Sequence, residues 1–277
     1  MLTFDIISYS HEHTMPHHNP VIIEHHVIGD LHLLRLLAPE IAIAAQPGQY
    51  VLASGKHATS HDPLLRRALF IAGANPREGT LDLLVQPDER GKVWICDQQV
   101  GAHLDLLGPQ GRAFRLDPRT RNLLLAGTGT ALPALLFLAH QAASKGIAGV
   151  LFAAASAADL LPPAFLLPPE FEYQSSADGA ASLIDLLAAP KIGQSLFNTP
   201  IAWADQICFA LSENLIAPAA AAVRNGRMRW ERGFAFAAVD GRMPCGIGIC
   251  NACLITTHKG LRTRCKDGPV FDLRDLA

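Results

Sequence analysis

The chain has little charge and few aromatic side chains. Of its 277 residues, 17% are charged and 6% are aromatic, and the formal net charge is −2. A charge this close to zero argues against a nucleic-acid partner, which would require a basic surface. Because 49% of the residues are hydrophobic, the composition indicates a globular chain with a sizeable core rather than a disordered one.

The N-terminus has no basic start followed by an apolar stretch and a small-residue cleavage site, so we expect a cytoplasmic location. Residues 122–144 carry no charge and are the candidate for a membrane span, but Gly127 to Pro133 interrupt them. A membrane span needs about 20 consecutive apolar residues. The sequence therefore predicts no membrane span here, but a buried strand, a glycine-rich turn and a helix beginning near Leu132, whose N-terminus can receive an anionic group.

Cysteine is scarce, yet most of it is concentrated near the C-terminus. Four of the six cysteines lie there: Cys245, Cys250, Cys253 and Cys265. The first three are separated by four residues and then by two, which is the opening spacing of a plant-type [2Fe–2S] loop. We therefore predict that these four thiolates hold a [2Fe–2S] cluster. The two other cysteines, Cys96 and Cys208, stand in apolar runs and are predicted to be buried hydrophobic residues.

The residues between the cysteines suit a loop that curls around a cluster. Gly246 and Gly248 tolerate backbone angles that other residues resist. The stretch from Leu254 to Arg264 predicts a β-hairpin that returns the last ligand to the first three. Structural zinc more often takes two pairs of ligands, and disulfide frameworks are typical of small secreted chains, so both alternatives fit less well.

The rest of the chain divides into parts with different patterns. Residues 20–116 contain many short apolar segments separated by turn residues, which predicts a β-barrel. The predicted strands are 21–23, 27–28, 33–37, 50–52, 68–72, 81–85, 93–95 and 103–107. Residues 117–225 alternate apolar strands with helices rich in Ala and Leu, which predicts a Rossmann-like α/β sheet. Residues 226–277 carry the cysteine cluster.

Residues 1–19 form a histidine-rich extension. His11, His13, His17 and His18 lie in it, with His25 and His26 just beyond. A metal site or a pH switch is one interpretation. No carboxylate or cysteine with ligand spacing lies near, so we favour a mobile N-terminal segment.

A barrel, a nucleotide-type α/β domain and a short four-cysteine tail together resemble the electron transfer subunit family of dihydroorotate dehydrogenase B, in the wider ferredoxin–NADP reductase group. The ending Cys265-Lys-Asp-Gly-Pro-Val-Phe-Asp272 is very similar to that family's. The resemblance implies that the barrel binds FAD, that the α/β domain contacts NAD(P) and that the C-terminal module holds a [2Fe–2S] cluster. It implies electron flow between nicotinamide, FAD, the cluster and an FMN-containing catalytic subunit, which oxidises dihydroorotate in pyrimidine biosynthesis. This chain then needs no catalytic residue of its own.

The resemblance also assigns cofactor-binding residues. The family segment that contacts the FAD diphosphate with Arg and Ser matches Arg67, Ala68, Leu69 and Phe70, with Phe70 at the Ser position. The strand against the flavin matches Leu84, Val85 and Gln86. The Gly-Thr pair that closes on the pyrophosphate matches Gly91 and Lys92.

The nicotinamide motifs of the family are altered in this chain. The run from Ala126 to Ala131 matches its Gly-Gly-Thr-Gly turn with one Gly replaced, the strand ending at Ser156 lacks the family's Arg, and Ala210 to Ser212 replaces Cys-Gly-Pro. Two other functions therefore stay open: an NAD(P)H-dependent flavin or ferredoxin reductase for a different acceptor, and a non-catalytic remnant that keeps only the cluster. The cluster loop near Ile247, Ile249 and Leu254 is the expected docking or electron-exit surface.

Overall fold

The structure is a computed structural model, and it describes residues 15–188, 199–227 and 229–276. His11, His13 and most of the predicted extension 1–19 lie outside the described residues. The described strands form two large sheets and one small hairpin.

The first sheet has seven antiparallel strands in the order β1-β7-β4-β5-β6-β3-β2. Their bounds are β1 His17–His18, β2 Val21–Ile28, β3 Leu31–Leu37, β4 Tyr50–Ala53, β5 Arg67–Asn75, β6 Thr80–Val85 and β7 Leu106–Gln110. A bridge between Val21 and His103 brings β2 back to the segment before β7. The sheet therefore closes on itself, and the predicted barrel is confirmed.

The start of the barrel includes two of the N-terminal histidines. His17 and His18 form β1, which pairs with β7. His17 Nε2 lies 2.7 Å from Asp105 Oδ1, and His18 Nδ1 lies 3.0 Å from Glu40 Oε2. These two histidines are therefore attached to the barrel, whereas the sequence pattern favoured a mobile segment for them.

One predicted strand of the barrel is wrong. Residues 93–95 lie inside helix α2, Arg90–Cys96. The buried residues of this helix are Gly91, Lys92, Ile95 and Cys96, a spacing that places them on one helical face. A three-residue apolar run is too short to distinguish a strand from a helix, and the wider four-residue spacing decided the structure.

The second sheet has six strands in the order β10-β9-β8-β11-β12-β15. Their bounds are β8 Asn122–Thr128, β9 Ala148–Ala154, β10 Phe171–Ser176, β11 Gln206–Leu211, β12 Ala235–Val239 and β15 Val270–Asp272. All neighbours are parallel except β12 and β15. This is the expected α/β sheet, and β10 is a strand that the sequence pattern did not predict. Because β12 and β15 come from residues 226–277, the C-terminal part of the chain also completes this sheet.

Helices cover the second sheet and connect its strands. The remaining helices are α1 Pro39–Ala44, α3 Pro133–Ala143, α4 Ser182–Ala188, α5 Pro200–Trp203, α6 Ile216–Gly226, α7 Arg264–Asp267 and α8 Leu273–Leu276. The uncharged stretch 122–144 thus folds as β8, a glycine-rich turn and α3, as predicted. Among the residues that the structure describes, no helix has the length and apolar character to cross a membrane.

One buried hydrophobic cluster joins the barrel, the α/β sheet and the cysteine loop. Tyr50 and Phe70 of the barrel belong to the same buried cluster as Leu135 of α3 and as Cys253 and Cys265. Strands β13, Leu254–Thr257, and β14, Gly260–Thr263, form the predicted hairpin that leads to Cys265. This shared core places the cysteines beside the junction of the two sheets.

Candidate redox site

The four C-terminal cysteines come together as two pairs. Cys253 Sγ and Cys265 Sγ are 3.3 Å apart, and the Cys250 side chain hydrogen-bonds to that of Cys245. Two thiolates bound to one tetrahedral metal at about 2.3 Å stand roughly 3.8 Å apart, so the first pair is close to the separation that one iron needs. Cys96 and Cys208 are buried elsewhere, as predicted.

The pairwise arrangement suits a two-iron centre. In a [2Fe–2S] cluster four thiolates are shared by two irons, so two thiolates meet at each iron. The donor set and its pairing therefore fit the cluster that the spacing predicted.

The loop backbone directs amides at the sulfur atoms. Gly246 and Gly248 have φ values of +71° and +79°, the left-handed conformation that glycine adopts without strain. Burial acts to raise the pKa of the Cys245 thiol, but hydrogen bonds from the amides of Cys250, Ile247 and Ile249 and from the Cys250 side chain outweigh it, and the pKa falls below its ordinary value of 9.0. The loop thus favours a thiolate at Cys245, and amide donors to sulfur also tune the potential of a bound cluster.

The buried side of the loop is fixed by contacts to both sheets. Tyr50 Oη of β4 donates to the carbonyl oxygen of Cys265 at 3.2 Å. The Arg264 guanidinium donates to the carbonyl oxygen of Asp240 and to Glu213 Oε2, each at 2.7 Å. The first contact joins the barrel to Cys265, and the other two join Arg264, the residue before it, to the segments that follow β11 and β12.

The other side of the loop is open. Cys253 and Cys265 are buried, whereas Cys250 is exposed. Ile249 is 73% exposed beside it, and Leu261 on the hairpin is 63% exposed. One cysteine pair thus faces the protein interior and the other includes a thiol at the surface.

The residues predicted to bind FAD, except Gly91, line one cleft between the two sheets. Ala68, Leu69 and Phe70 of β5 stand beside Leu84 and Val85 of β6. Gln86 and the α2 residue Lys92 complete this wall, and the opposite wall comes from Thr128–Thr130, Pro133, Ala155 and Ser156 of the α/β sheet. Arg67 lines the adjoining part of the cleft.

The Nε of Arg67 is buried and ion-paired but makes no hydrogen bond. Its Nε lies 2.8 Å from Glu89 Oε1, but the geometry does not make a hydrogen bond and the atom has no other partner. Its Nη1 donates to the carbonyl of Leu65 at 2.7 Å. A Cβ on Gly91 would lie 2.8 Å from Arg67 Nε, so Gly91 leaves the room that this side chain occupies. A partly buried guanidinium whose Nε makes no hydrogen bond fits an anionic group such as a phosphate.

Lys92 is the other cation of this wall. The residue is only 8% exposed, and its Nζ lies 2.9 Å from Asp88 Oδ1. Lys92 lines both parts of the cleft, so its charge acts where they join.

The cleft continues from the predicted flavin residues to the cysteine loop. Arg67 and Lys92 line the same cavity as Met243, Pro244 and Ala252. Pro244 precedes Cys245 and Ala252 precedes Cys253, so the end of the cavity lies against the loop that carries both pairs of thiols.

Three further residues belong to this site although sequence reasoning did not select them. Asp240 lines the cleft, Arg264 holds the last cysteine turn, and Tyr50 supports Cys265 from the barrel. Asp240 carried a usable signal, because it is a charged residue directly after a buried apolar strand. Tyr50 and Arg264 carried none, since their partners are distant in the sequence.

Comparison with known proteins agrees with this geometry. Residues 240–277 match the family model of the iron-sulfur cluster binding domain of dihydroorotate dehydrogenase B. The dihydroorotate dehydrogenase B (NAD(+)) electron transfer subunit of Geobacillus thermodenitrificans is 28% identical over 86% of this chain and 89% of its own length. The corresponding subunit of Shouchella clausii is 27% identical over 92% and 96%. The chain is a relative of the dihydroorotate dehydrogenase B electron transfer subunits.

Solved structures show the same architecture. The NADH-dependent reduced ferredoxin-NADP oxidoreductase aligns with a TM-score of 0.73 and 19% identity, covering 93% of this chain and 89% of its own. A siderophore-interacting protein from Aeromonas hydrophila aligns with a TM-score of 0.58 and 17% identity, covering 81% and 97%. The fold is therefore that of the ferredoxin reductases, as the sequence predicted.

Proposed function

We propose that this chain is an electron transfer subunit that carries electrons between FAD, a [2Fe–2S] cluster and a partner dehydrogenase. The partner would be an FMN-containing catalytic subunit of the dihydroorotate dehydrogenase type, acting in pyrimidine biosynthesis. The observation that carries the proposal is the single cleft that runs from Arg67 and Lys92 to the residues beside Cys245 and Cys253. A flavin supplies two-electron chemistry and the cluster supplies one-electron transfer when they are bound.

The chain's own residues would bind and position these groups. Cys245 and Cys250, and Cys253 and Cys265, would hold one iron each. Arg67 would offer its guanidinium to the FAD diphosphate, and Lys92 would add a second positive charge. Ala68, Leu69, Phe70, Leu84, Val85, Gln86 and Gly91 would form the remaining flavin contacts. The apolar residues Ile249 and Leu261, with Leu254 between the last two cysteines, would exclude water where the partner docks.

The domain boundaries belong to the same proposal. The flavin unit would comprise 20–116, the nucleotide-type unit 117–225 and the cluster unit 226–277. Strands β12 and β15 of the cluster unit are part of the six-stranded α/β sheet. Because the cluster unit thus shares this sheet, we expect the three units to unfold together.

Metal analysis of anaerobically purified protein tests the proposal. We expect about two iron and two acid-labile sulfide per chain, together with flavin absorption. Cys265→Ser is expected to lose the cluster. Cys208→Ala removes a fully buried thiol outside the loop, and it is expected to keep the iron and sulfide content.

Three results would contradict the proposal. Stoichiometric zinc in place of iron would remove the redox function, and a cluster without flavin would favour the remnant. Purification from native cells with an acceptor unrelated to an FMN dehydrogenase would favour a reductase of another kind.

A further inference from the structure

A partly buried carboxylate faces the glycine-rich turn of the α/β sheet. Asp240 directly follows β12, and its backbone is held on both sides. Its amide donates to the Leu211 carbonyl at 2.9 Å, and Arg264 donates to its carbonyl oxygen at 2.7 Å. A Cβ placed on Gly129 would lie 2.9 Å from Asp240 Oδ2. The carboxylate therefore lies directly over the turn, which has a φ of +68° at Gly129.

The turn directs its donors at this carboxylate. Burial raises the pKa of Asp240 above its ordinary value of 3.8, while Arg264, Lys92 and both the amide and the hydroxyl of Thr130 act in the opposite direction and favour the charged form. Backbone amides at a glycine-rich turn before a helix are the donors that such turns offer to a bound anion. Here the Thr130 amide already faces an anion of the chain itself.

The two cations that act on Asp240 are each paired with another carboxylate. Lys92 is paired with Asp88 at 2.9 Å, and Arg264 is paired with Glu213 at 2.7 Å. The cavity as a whole is lined by four carboxylates and four cations, so the repulsion is local to the turn. A phosphate at Thr130 would lie against the Asp240 carboxylate in a partly buried site, where screening by water is weak.

The facing end of β9 adds no cation to this wall of the cleft. Ala155 and Ser156 follow the strand and line the cavity together with Thr128 and Thr130. A dinucleotide phosphate at the turn would therefore have neutral side chains on that side and the Asp240 carboxylate on the other.

We propose that Asp240 is a specificity-determining residue that weakens binding of a dinucleotide diphosphate at the glycine-rich turn. The carboxylate occupies the donors of Thr130 and repels the incoming phosphates. The proposal goes beyond the proposed function, and it rests on the residues of the cleft rather than on the cluster.

The test measures binding of NAD⁺ to oxidised holoprotein by isothermal titration calorimetry, since no electron transfer then contributes heat. Asp240→Asn keeps the shape and removes the charge, and we expect its dissociation constant to be at least tenfold lower than that of the wild type. ADP-ribose keeps the diphosphate and lacks the nicotinamide, so it should show the same gain. Asp185→Asn removes an exposed charge from α4 of the same domain and should stay within twofold of the wild type.

Several outcomes would overturn the proposal. Equal affinities of wild type and Asp240→Asn, including no detectable binding to either, would do so. A gain for NAD⁺ without a gain for ADP-ribose would place the effect at the nicotinamide, and an equal gain in Asp185→Asn would make it non-specific. Asp240→Ser provides the same comparison if the Asn variant does not fold.

Iron content is measured on each protein. A wild-type chain without iron would count against the proposed function, while the comparison of affinities would still decide the role of Asp240.

Discussion

Replacing Arg67 by Gln should weaken FAD binding by a predictable amount. Arg67 is a partly buried cation beside the flavin wall, and its Nε lies 2.8 Å from Glu89 Oε1 without the geometry of a hydrogen bond. A hydrogen bond from a charged donor contributes about 1.5–3 kcal/mol. To make it, Arg67 must partly give up Glu89, whose side chain is 35% exposed; such a partly solvated pair contributes about 0–1 kcal/mol.

The balance of these terms is about 0.5–3 kcal/mol in favour of the phosphate contact. At about 1.4 kcal/mol per tenfold change, Arg67→Gln should raise the dissociation constant for FAD roughly 2- to 140-fold. Glu89→Gln removes the competing carboxylate, so it should lower that constant, by up to about fivefold.

Fluorescence titration of deflavinated protein with FAD measures both changes. Arg77→Gln is the matched control, because Arg77 is the next arginine along the chain and is exposed in the turn between β5 and β6, away from the flavin wall. A dissociation constant for Arg67→Gln within twofold of the wild type would refute the reasoning. A loss of affinity in Glu89→Gln would also refute it, because the carboxylate would then be supporting the flavin site rather than competing for its cation.

Two further predictions concern stability. Gln206 is buried, and its side chain donates to the carbonyls of Arg115 and Gly233 and accepts from the Asp117 amide and the Thr120 hydroxyl. Because Gln206→Leu leaves these partners unpaired, it should lower the free energy of unfolding by about 3 kcal/mol in urea titrations. Gln174→Leu, on the exposed side of edge strand β10, should change it by less than about 0.5 kcal/mol, and equal effects would contradict the account. Burial acts to raise the pKa of Asp105, but hydrogen bonds from Arg66 and His17 outweigh it and hold the pKa below 3.8. A carboxyl group whose pKa is depressed in the folded state stabilises the fold above its pKa in the unfolded chain, about 3.9, and this stabilisation is lost as the pH falls. The free energy of unfolding of the wild type should therefore exceed that of Asp105→Asn at pH 6, and the difference should shrink below about pH 4. A difference that stays constant with pH would contradict this explanation.

The cysteine loop is the part of the site that local sequence predicts best. Its spacing and its two glycines act within about ten residues, where chain geometry alone limits what the loop can do. The hairpin of β13 and β14 belongs to the same class, since its turn and its strands are adjacent in the chain. For this reason the predicted hairpin is present, and it brings Cys265 Sγ to 3.3 Å from Cys253 Sγ.

Short apolar runs were less informative. Residues 93–95 satisfy a strand and a helix equally, and α2 formed because Gly91, Lys92, Ile95 and Cys96 together make one buried face. His17 and His18 carry no apolar signal, yet they pair with β7. In each case the deciding partner is distant along the chain.

The sequence by itself determined the donor set, the glycine-rich turns and the order of a barrel, an α/β sheet and a cysteine tail, because each depends on residues that are neighbours in the chain. Only the tertiary structure decided that Arg67, Lys92 and the cysteine loop share one cleft, and that Asp240 faces the turn at Gly129. Those contacts arise where strands from separate sheets meet, and strand pairing over such separations depends on the packing of the whole core rather than on any local pattern.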